Sequence, residues 1–79
     1  MSYLTQLKTF VEVYRSGNIT RAAARLHMSQ PAVTSHIQAM EHIVGKELFV
    51  RKARGVEPTA IADDLALQVA SHIDTLEQK

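Results

Sequence analysis

The sequence predicts a mainly α-helical fold that contains one small β-hairpin. Three observations support this prediction. Apolar residues recur at helical spacing in four segments, capping residues stand at the segment boundaries, and a short β-prone stretch precedes the fourth segment. With 79 residues the chain has room for one small domain. The core of so small a domain is marginal, so association with a second subunit would help to stabilise it.

The first two predicted helices are bounded by a glycine and an asparagine. Helical spacing in the first segment is set by Leu4, Leu7, Phe10, Val11 and Tyr14. Gly17 is expected to end this helix, because glycine tolerates the left-handed conformation found just past a helix C-terminus. Asn18 can then cap a second helix, whose apolar face is formed by Ile19, Ala22, Ala23 and Leu26. His27 is expected at positive φ, where it would turn the chain.

A third helix is predicted over about residues 29–44, with two different faces. Ser29 is its expected cap, and Pro31 falls in the first turn, where a missing N–H costs no helical hydrogen bond. The apolar face comprises Val33, Ile37, Met40 and Val44. The opposite face is mostly polar and carries Pro31, Ser35, Gln38 and His42, with Thr34 on its flank. Gly45 is expected to end the helix.

The remaining chain predicts a hairpin and a last helix. The β-prone runs 48–51 and 56–57 flank a turn predicted at residues 52–55. Pro58 is expected to stop the ladder, and Thr59 can cap the last helix. In that helix a coiled-coil-like seam of only about two heptads, which is weak evidence by itself, is formed by Ala62, Ala66, Val69, Ile73 and Leu76. We therefore divide the chain into a body of residues 1–58 and a linker helix of residues 59–79.

Charge is distributed unevenly along a chain whose net charge is only +1. Residues 1–56 carry eight Lys or Arg against three Glu, a balance of +5, whereas residues 57–79 carry one Lys against five acidic residues, a balance of −4. A basic body suits an anionic partner. The sequence has no cysteine, which excludes disulfides and cysteine-based zinc sites. It shows neither a membrane-spanning apolar run nor a signal peptide, and we expect a cytoplasmic protein.

The predicted second and third helices are joined by a three-residue turn and followed by a basic hairpin. This arrangement is typical of a winged helix-turn-helix. Short polar side chains let the third helix enter a major groove, where a glutamine can bind adenine and a methyl group can contact thymine. Basic residues of the wing, residues 51–55, can reach phosphates or a narrow minor groove. The predicted DNA-binding residues are Ser29, Gln30, Pro31, Thr34, Ser35, Gln38, Arg51, Lys52, Arg54, Asn18 and Arg21.

The stretch LKTFVEVYRSGNITRAAARLHMSQPAVTSHIQAMEHIVGKELFVRKARGVEPT resembles the N-terminal DNA-binding domain of LysR-type transcriptional regulators. The resemblance rests on residues at fixed spacing, namely Ala22, Ala23, Leu26, His27, Ser29, Gln30, Ile37, Glu41, Gly45, Leu48, Phe49, Arg51, Arg54, Gly55 and Thr59. Three residues depart from the family pattern: Ser35 stands where many members have Arg, Ala62 where Gly is usual, and Met40 where Leu is common. The first departure puts one base or phosphate contact in doubt.

The resemblance implies a bacterial regulator that binds double-stranded DNA at an interrupted inverted repeat. It implies a homodimer formed through the linker helix, so that the seam residues 62, 66, 69, 73 and 76 are the predicted dimerisation residues, with a tetramer possible for the full-length protein. It also implies that this chain is a fragment, and that a small-molecule effector binds outside it. The chain itself is expected to need no cofactor.

Two alternatives to this function remain open at the level of the sequence. The chain could be the winged helix of another regulator class, such as the molybdate-responsive kind, or a winged helix that binds protein. An enzyme is not expected, because Ser29 and the histidines lack a third catalytic residue and an oxyanion site. A metal site is not expected either, since His36 and His42 are not at ligand spacing on one helix face.

Overall fold

The computed structural model describes the backbone of residues 3–77 and the side chains of residues 3–69. The elements in chain order are α1 (Tyr3–Ser16), α2 (Ile19–Leu26), α3 (Gln30–Val44), β1 (Phe49–Lys52), β2 (Gly55–Pro58) and α4 (Ala60–Glu77). The predicted mainly α-helical fold with one hairpin is confirmed. No helix in the described part is long and apolar enough to cross a membrane.

Local capping sets the boundaries of the helices, as the sequence predicts. Gly17 adopts a φ of +65° after α1, and Asn18 accepts a hydrogen bond of 2.9 Å from the backbone N–H of Arg21 at the start of α2. His27 ends α2 in the left-handed conformation, with φ 56° and ψ 42°. Ser29 caps α3 by accepting from the N–H of Ala32 at 3.2 Å. These bonds occupy backbone groups that a helix end otherwise leaves unpaired.

Three helices and the base of the hairpin enclose the core. Its largest fully buried side chains include Phe10 and Val13 from α1, Val33 and Met40 from α3, and Leu48 from the loop before β1. Leu48 is anchored through its backbone, because its N–H donates to Glu41 Oε2 at 2.8 Å. Glu41 therefore braces the loop between α3 and the hairpin.

The hairpin differs from its predicted boundaries by one residue at each end of the turn. Lys52 pairs with Gly55, so the turn contains only residues 53 and 54. Pro58 does not stop the ladder but lies opposite Phe49. The N–H of Val56 points away from β1 and donates to Gly17 O at 3.0 Å. Because hydrogen-bonded and non-hydrogen-bonded pairs alternate in an antiparallel ladder, the nitrogen of Pro58 also faces away from β1 and its missing N–H costs nothing.

The beginning of α4 joins the same core rather than standing apart from it. Thr59 accepts from the N–H of Ala62 at 3.3 Å, and its own hydroxyl donates to Glu47 O at 2.7 Å. The cap therefore also ties α4 to the loop before β1. Ala62 and Ala66 are buried, and Tyr14 of α1 donates to Asp63 Oδ1 at 2.8 Å. The first turns of α4 thus pack against the helical body through both apolar and polar contacts.

Candidate nucleic-acid interface

The outer face of α3 is exposed and carries most of the residues predicted to contact DNA. Ser29, Gln30, Pro31, Ser35 and Gln38 are exposed, and Thr34 is half-buried. The opposite face of the same helix fills the core with Val33, Ile37 and Met40. Val44, the fourth residue of the predicted apolar face, is exposed near the end of the helix. Because Val33, Ile37 and Met40 pack into the core, the orientation of α3 fixes which side chains a partner can meet.

A cleft brings α3 together with the start of α2 and with the wing. Five predicted residues lie along it, and these are Asn18, Gln30, Thr34, Arg51 and Lys52. The cleft is also lined by Thr20, which the sequence reasoning did not select. The sequence does contain a signal for Thr20, because this residue follows the Asn18 cap and lies off the apolar face of Ala22 and Ala23. The cleft offers hydroxyl, amide, guanidinium and ammonium groups within one concave surface.

A second groove lies between α3 and β1 and shares Thr34, Gln38 and Arg51 with the polar surface. Glu41 and Glu47 also line this groove. Arg51 forms no ion pair with either glutamate, although all three residues belong to the described part. Its guanidinium therefore stays available to an anionic partner, whereas the carboxylates mark the side of α3 that is less suited to phosphate.

Electrostatics favour an anion at the starts of α2 and α3. Neither helix has an acidic residue in its first turn, whereas α4 has Asp63 there. Helix N-termini carry unpaired N–H groups and a partial positive charge, which attract phosphate. In the wing, Arg51, Lys52 and Arg54 are exposed, and the Lys52 ammonium lies 3.8 Å from the exposed carboxylate of Glu57. An ion pair this exposed contributes little and competes weakly with a phosphate.

Six predicted residues do not line the cleft, and one of them, Gln38, lines the second groove instead. Arg54 is at the tip of the hairpin, where it is exposed. Arg21 lines a different surface depression between α1 and α2, together with Glu12, Arg15, Ser16 and Arg25. Arg25 and Glu12 are ion-paired within that depression. Ser29, Pro31 and Ser35 share the exposed face of α3 but do not line the cleft.

The predicted dimerisation seam requires a correction for its first residues. Ala62 and Ala66 do not face outward, because they are buried in the core of their own chain. Val69 is half-buried and packs against the same core. Ile73 and Leu76 lie outside the side chains that the structure describes. Among the described residues of this helix, the large apolar residues that are exposed are Ile61 and, far more so, Leu67, which is 77% exposed. Leu67 lines an apolar depression together with Val11 and Tyr14.

The described residues show no group of three histidine or acidic side chains that could hold a metal ion. Of the four histidines, His36 is buried, with its Nδ1 atom 2.8 Å from Thr9 Oγ1. The hydrogen bond from Tyr14 to the Asp63 carboxylate raises the pKa of Tyr14 above its ordinary value. That residue joins α1 to α4 and lies outside the cleft.

A helix-turn-helix with an exposed polar third helix, flanked by a basic hairpin, defines the class of winged helix-turn-helix proteins. The chain belongs to the bacterial regulatory helix-turn-helix proteins of the lysR family, whose family model matches residues 4–63. It is similar to the HTH-type transcriptional regulator AbaB of Streptomyces antibioticus, with 56% identity over 73 residues. That alignment covers 92% of this chain and 24% of AbaB, so the chain spans about a quarter of the length of this curated relative.

Solved structures agree with the family assignment. The CbnR_DBD–DNA complex superposes with a TM-score of 0.87 at 35% identity, and covers 98% of this chain and 88% of that one. The BenM_DBD/benA site 1 DNA complex gives a TM-score of 0.88 at 27% identity, and covers 98% of this chain and 90% of that one. Both similar domains were solved together with DNA.

Proposed function

We propose that this chain is the sequence-specific DNA-binding domain of a LysR-type transcriptional regulator. The observation that carries the proposal is the cleft that places Gln30 and Thr34 of α3 beside Arg51 and Lys52 of the wing. In this arrangement α3 enters the major groove, and the wing approaches phosphates or the adjacent minor groove. The similar CbnR and BenM domains were solved in complex with DNA, which supports DNA as the partner of this chain.

Each predicted residue has a role in the proposal. Gln30, Thr34, Ser35 and Gln38 contact base edges, and Pro31 contacts a base methyl group. Ser29 and Asn18 present helix N-termini to phosphates while they cap their helices. Arg51, Lys52, Arg54 and Arg21 contact the sugar–phosphate backbone, and Thr20 joins this set because it lines the cleft.

The proposed regulator acts as a homodimer that reads an interrupted inverted repeat. Ala62 and Ala66 are already used by the chain's own core, so the partner contacts the remaining exposed surface of α4, which includes Leu67. The C-terminal positions Ile73 and Leu76 belong to the same proposed interface. Dimers associate into tetramers in the full-length regulator, whose small-molecule effector binds outside this chain. The proposed role is binding without catalysis, in the cytoplasm at the nucleoid.

The proposal is tested by selecting bound sequences from a random DNA pool and then measuring affinity for the selected site across a salt series. We expect enrichment of an inverted repeat and a steep linear fall of log affinity with log salt, because phosphate contacts release counterions. Loss of enrichment together with salt-independent binding of a protein partner would instead identify a protein-interaction module. Fusion of a dimerising coiled coil to the C-terminus distinguishes a fragment that dimerises poorly from one that does not read DNA.

A further inference from the structure

Thr9 of α1 and His36 of α3 are the buried polar residues among the described side chains, and they contact each other. Thr9 is 1% exposed and His36 is 7% exposed. Their Oγ1 and Nδ1 atoms lie 2.8 Å apart, although the residues are 27 positions apart in the chain. Buried polar groups are costly unless they are hydrogen-bonded, and this contact gives each of the two side chains a partner.

The hydrogen-bond partners of Thr9 define the donor in this pair. Thr9 Oγ1 also lies 3.1 Å from the backbone carbonyl oxygen of Thr5, which can only accept. In the arrangement that uses both contacts as hydrogen bonds, the single hydroxyl hydrogen goes to Thr5 O, and Oγ1 accepts from His36 Nδ1–H. This assigns the Nδ1–H form of the imidazole. Met28 Sδ, from the turn between α2 and α3, lies 4.0 Å from the same hydroxyl oxygen, so Thr9 also contacts the turn before α3.

His36 lies on the side of α3 that faces away from the proposed DNA contacts. Residues 30, 34 and 38 form one stripe, and His36 lies about 200° around the helix from the centre of that stripe. The other contacts of this side with the core come from Val33, Ile37 and Met40, which are apolar. Close packing of these side chains limits the rotation and axial position of the helix, but apolar contacts are non-directional and leave room for small adjustments of each. A buried hydrogen bond is directional and does restrict both.

We infer that the Thr9–His36 hydrogen bond is a positioning contact that sets the rotation and axial position of α3, and with them the base preference of the domain. The part of this inference that concerns base preference rests on the proposed function, because it is measured by binding to DNA. Neither residue touches DNA in this assignment. The pair acts through Gln30, Thr34 and Gln38, which are carried on the same rigid helix.

The test replaces Thr9 by valine, which keeps the shape of the side chain and removes its hydroxyl, and by serine, which keeps the hydroxyl. For Thr9→Val we expect the affinity ratio between the selected site and a single-base mismatch to fall by about fivefold or more. Affinity for random-sequence DNA should stay within about twofold of the parent, because the phosphate contacts are unchanged. Thr9→Ser should retain the discrimination of the parent chain.

Val13→Ala is the matched control, because it removes a buried group from the same helix without touching the polar pair. Equal loss of discrimination in Val13→Ala and Thr9→Val would overturn the inference, since the effect would then follow stability alone. Unchanged discrimination in Thr9→Val would also overturn it.

Two measurements on the DNA-free chain separate this inference from the proposed function. Imidazole ¹⁵N chemical shifts of the parent chain should report the Nδ1–H form of His36, and the Nε2–H form would contradict the assigned bond. Residual dipolar couplings should show a reoriented α3 relative to α1 in Thr9→Val but not in Thr9→Ser. A parent chain without any base preference refutes the proposed function, whereas an unmoved α3 refutes the positioning role.

Discussion

Gly55 shows at the residue scale how the wing is attached to the helical body. A Cβ atom added at Gly55 would lie 2.2 Å from the carbonyl oxygen of Gly17, and its φ is +99°. The next residue, Val56, donates its N–H to that same oxygen. The backbone of the wing thus approaches the turn between α1 and α2 so closely that no side chain fits between them.

We therefore expect Gly55→Ala to destabilise the chain by about 1–3 kcal/mol, through backbone strain and the clash with Gly17. Urea unfolding followed by circular dichroism measures this loss. Gly45→Ala is the matched control, because Gly45 also has a positive φ, of +80°, but an added Cβ meets nothing within 4 Å. Equal losses of stability in the two variants would show that the close approach of Gly55 to Gly17 does not contribute to the loss.

Substitutions at Gln30 and Arg54 distinguish base recognition from phosphate binding. Gln30 lies in the cleft on α3, whereas Arg54 lies at the hairpin tip. We expect Gln30→Ala to relax base preference at one position, which costs about 1–3 kcal/mol of discrimination. We expect Arg54→Ala to weaken binding to all sequences and to reduce the slope of log affinity against log salt by about 1. Binding titrations on matched and mismatched sites at several salt concentrations distinguish the two. An unchanged base preference in Gln30→Ala would contradict the placement of α3.

At the scale of single elements, α3 depends on its N-terminal cap. Ser29→Ala removes the oxygen that accepts from Ala32 N–H. We expect a loss of about 1 kcal/mol in the free energy of unfolding. Ser35→Ala makes the same chemical change on the exposed face of α3 and should leave stability nearly unchanged. A similar loss in both variants would mean that the cap has no special role.

Helix α4 presents Leu67 as an exposed apolar side chain, and we expect it to contribute to self-association. Leu67→Glu should shift the chain towards monomer, because a charge would be placed in an apolar interface. Sedimentation equilibrium over a concentration series measures this shift. Gln68→Glu adds the same charge at the neighbouring exposed position and serves as the control. Identical self-association of the parent chain and Leu67→Glu would place the interface elsewhere on α4.

At the scale of the whole molecule, Tyr14 and Asp63 join the first helix to the last. The Asp63 carboxylate accepts the phenolic hydrogen and raises the pKa of Tyr14 above 10.0. Because the folded chain holds this proton more tightly than the unfolded chain, the contribution to stability is complete below pH 10.0 and declines as the pH rises through the raised pKa. The contact is exposed, so solvent screening keeps the contribution small.

We therefore expect Tyr14→Phe to be less stable than the parent chain near neutral pH, with the difference shrinking at alkaline pH. Urea unfolding at about pH 8 and about pH 11 measures this convergence, which follows from proton linkage. Lysine titration affects both chains alike and cancels in the comparison. A stability difference that does not depend on pH would show that the hydrogen bond is not responsible for it.

How well the sequence predicts a structural feature depends on how far apart in the chain the interacting residues lie. The caps at Asn18, Ser29 and Thr59 act over three residues, so their signals are visible in a short window of sequence. The exposed face of α3 was likewise predictable. Apolar residues that recur at helical spacing mark the buried face of a helix, and the remaining positions face solvent. The hairpin boundaries were less accurate, since the pairing of Lys52 with Gly55 depends on how β2 is held by Gly17.

The sequence by itself determined the element order, the helix ends, the polar face of α3 and the family resemblance. Only the tertiary structure decided the surroundings of three sets of residues. It placed Ala62 and Ala66 in the core of their own chain, pressed Gly55 against Gly17, and joined Thr9 to His36. The physical reason is that periodicity identifies a face of a helix but not what that face meets. Packing partners many positions apart are chosen by how the elements fill one small core.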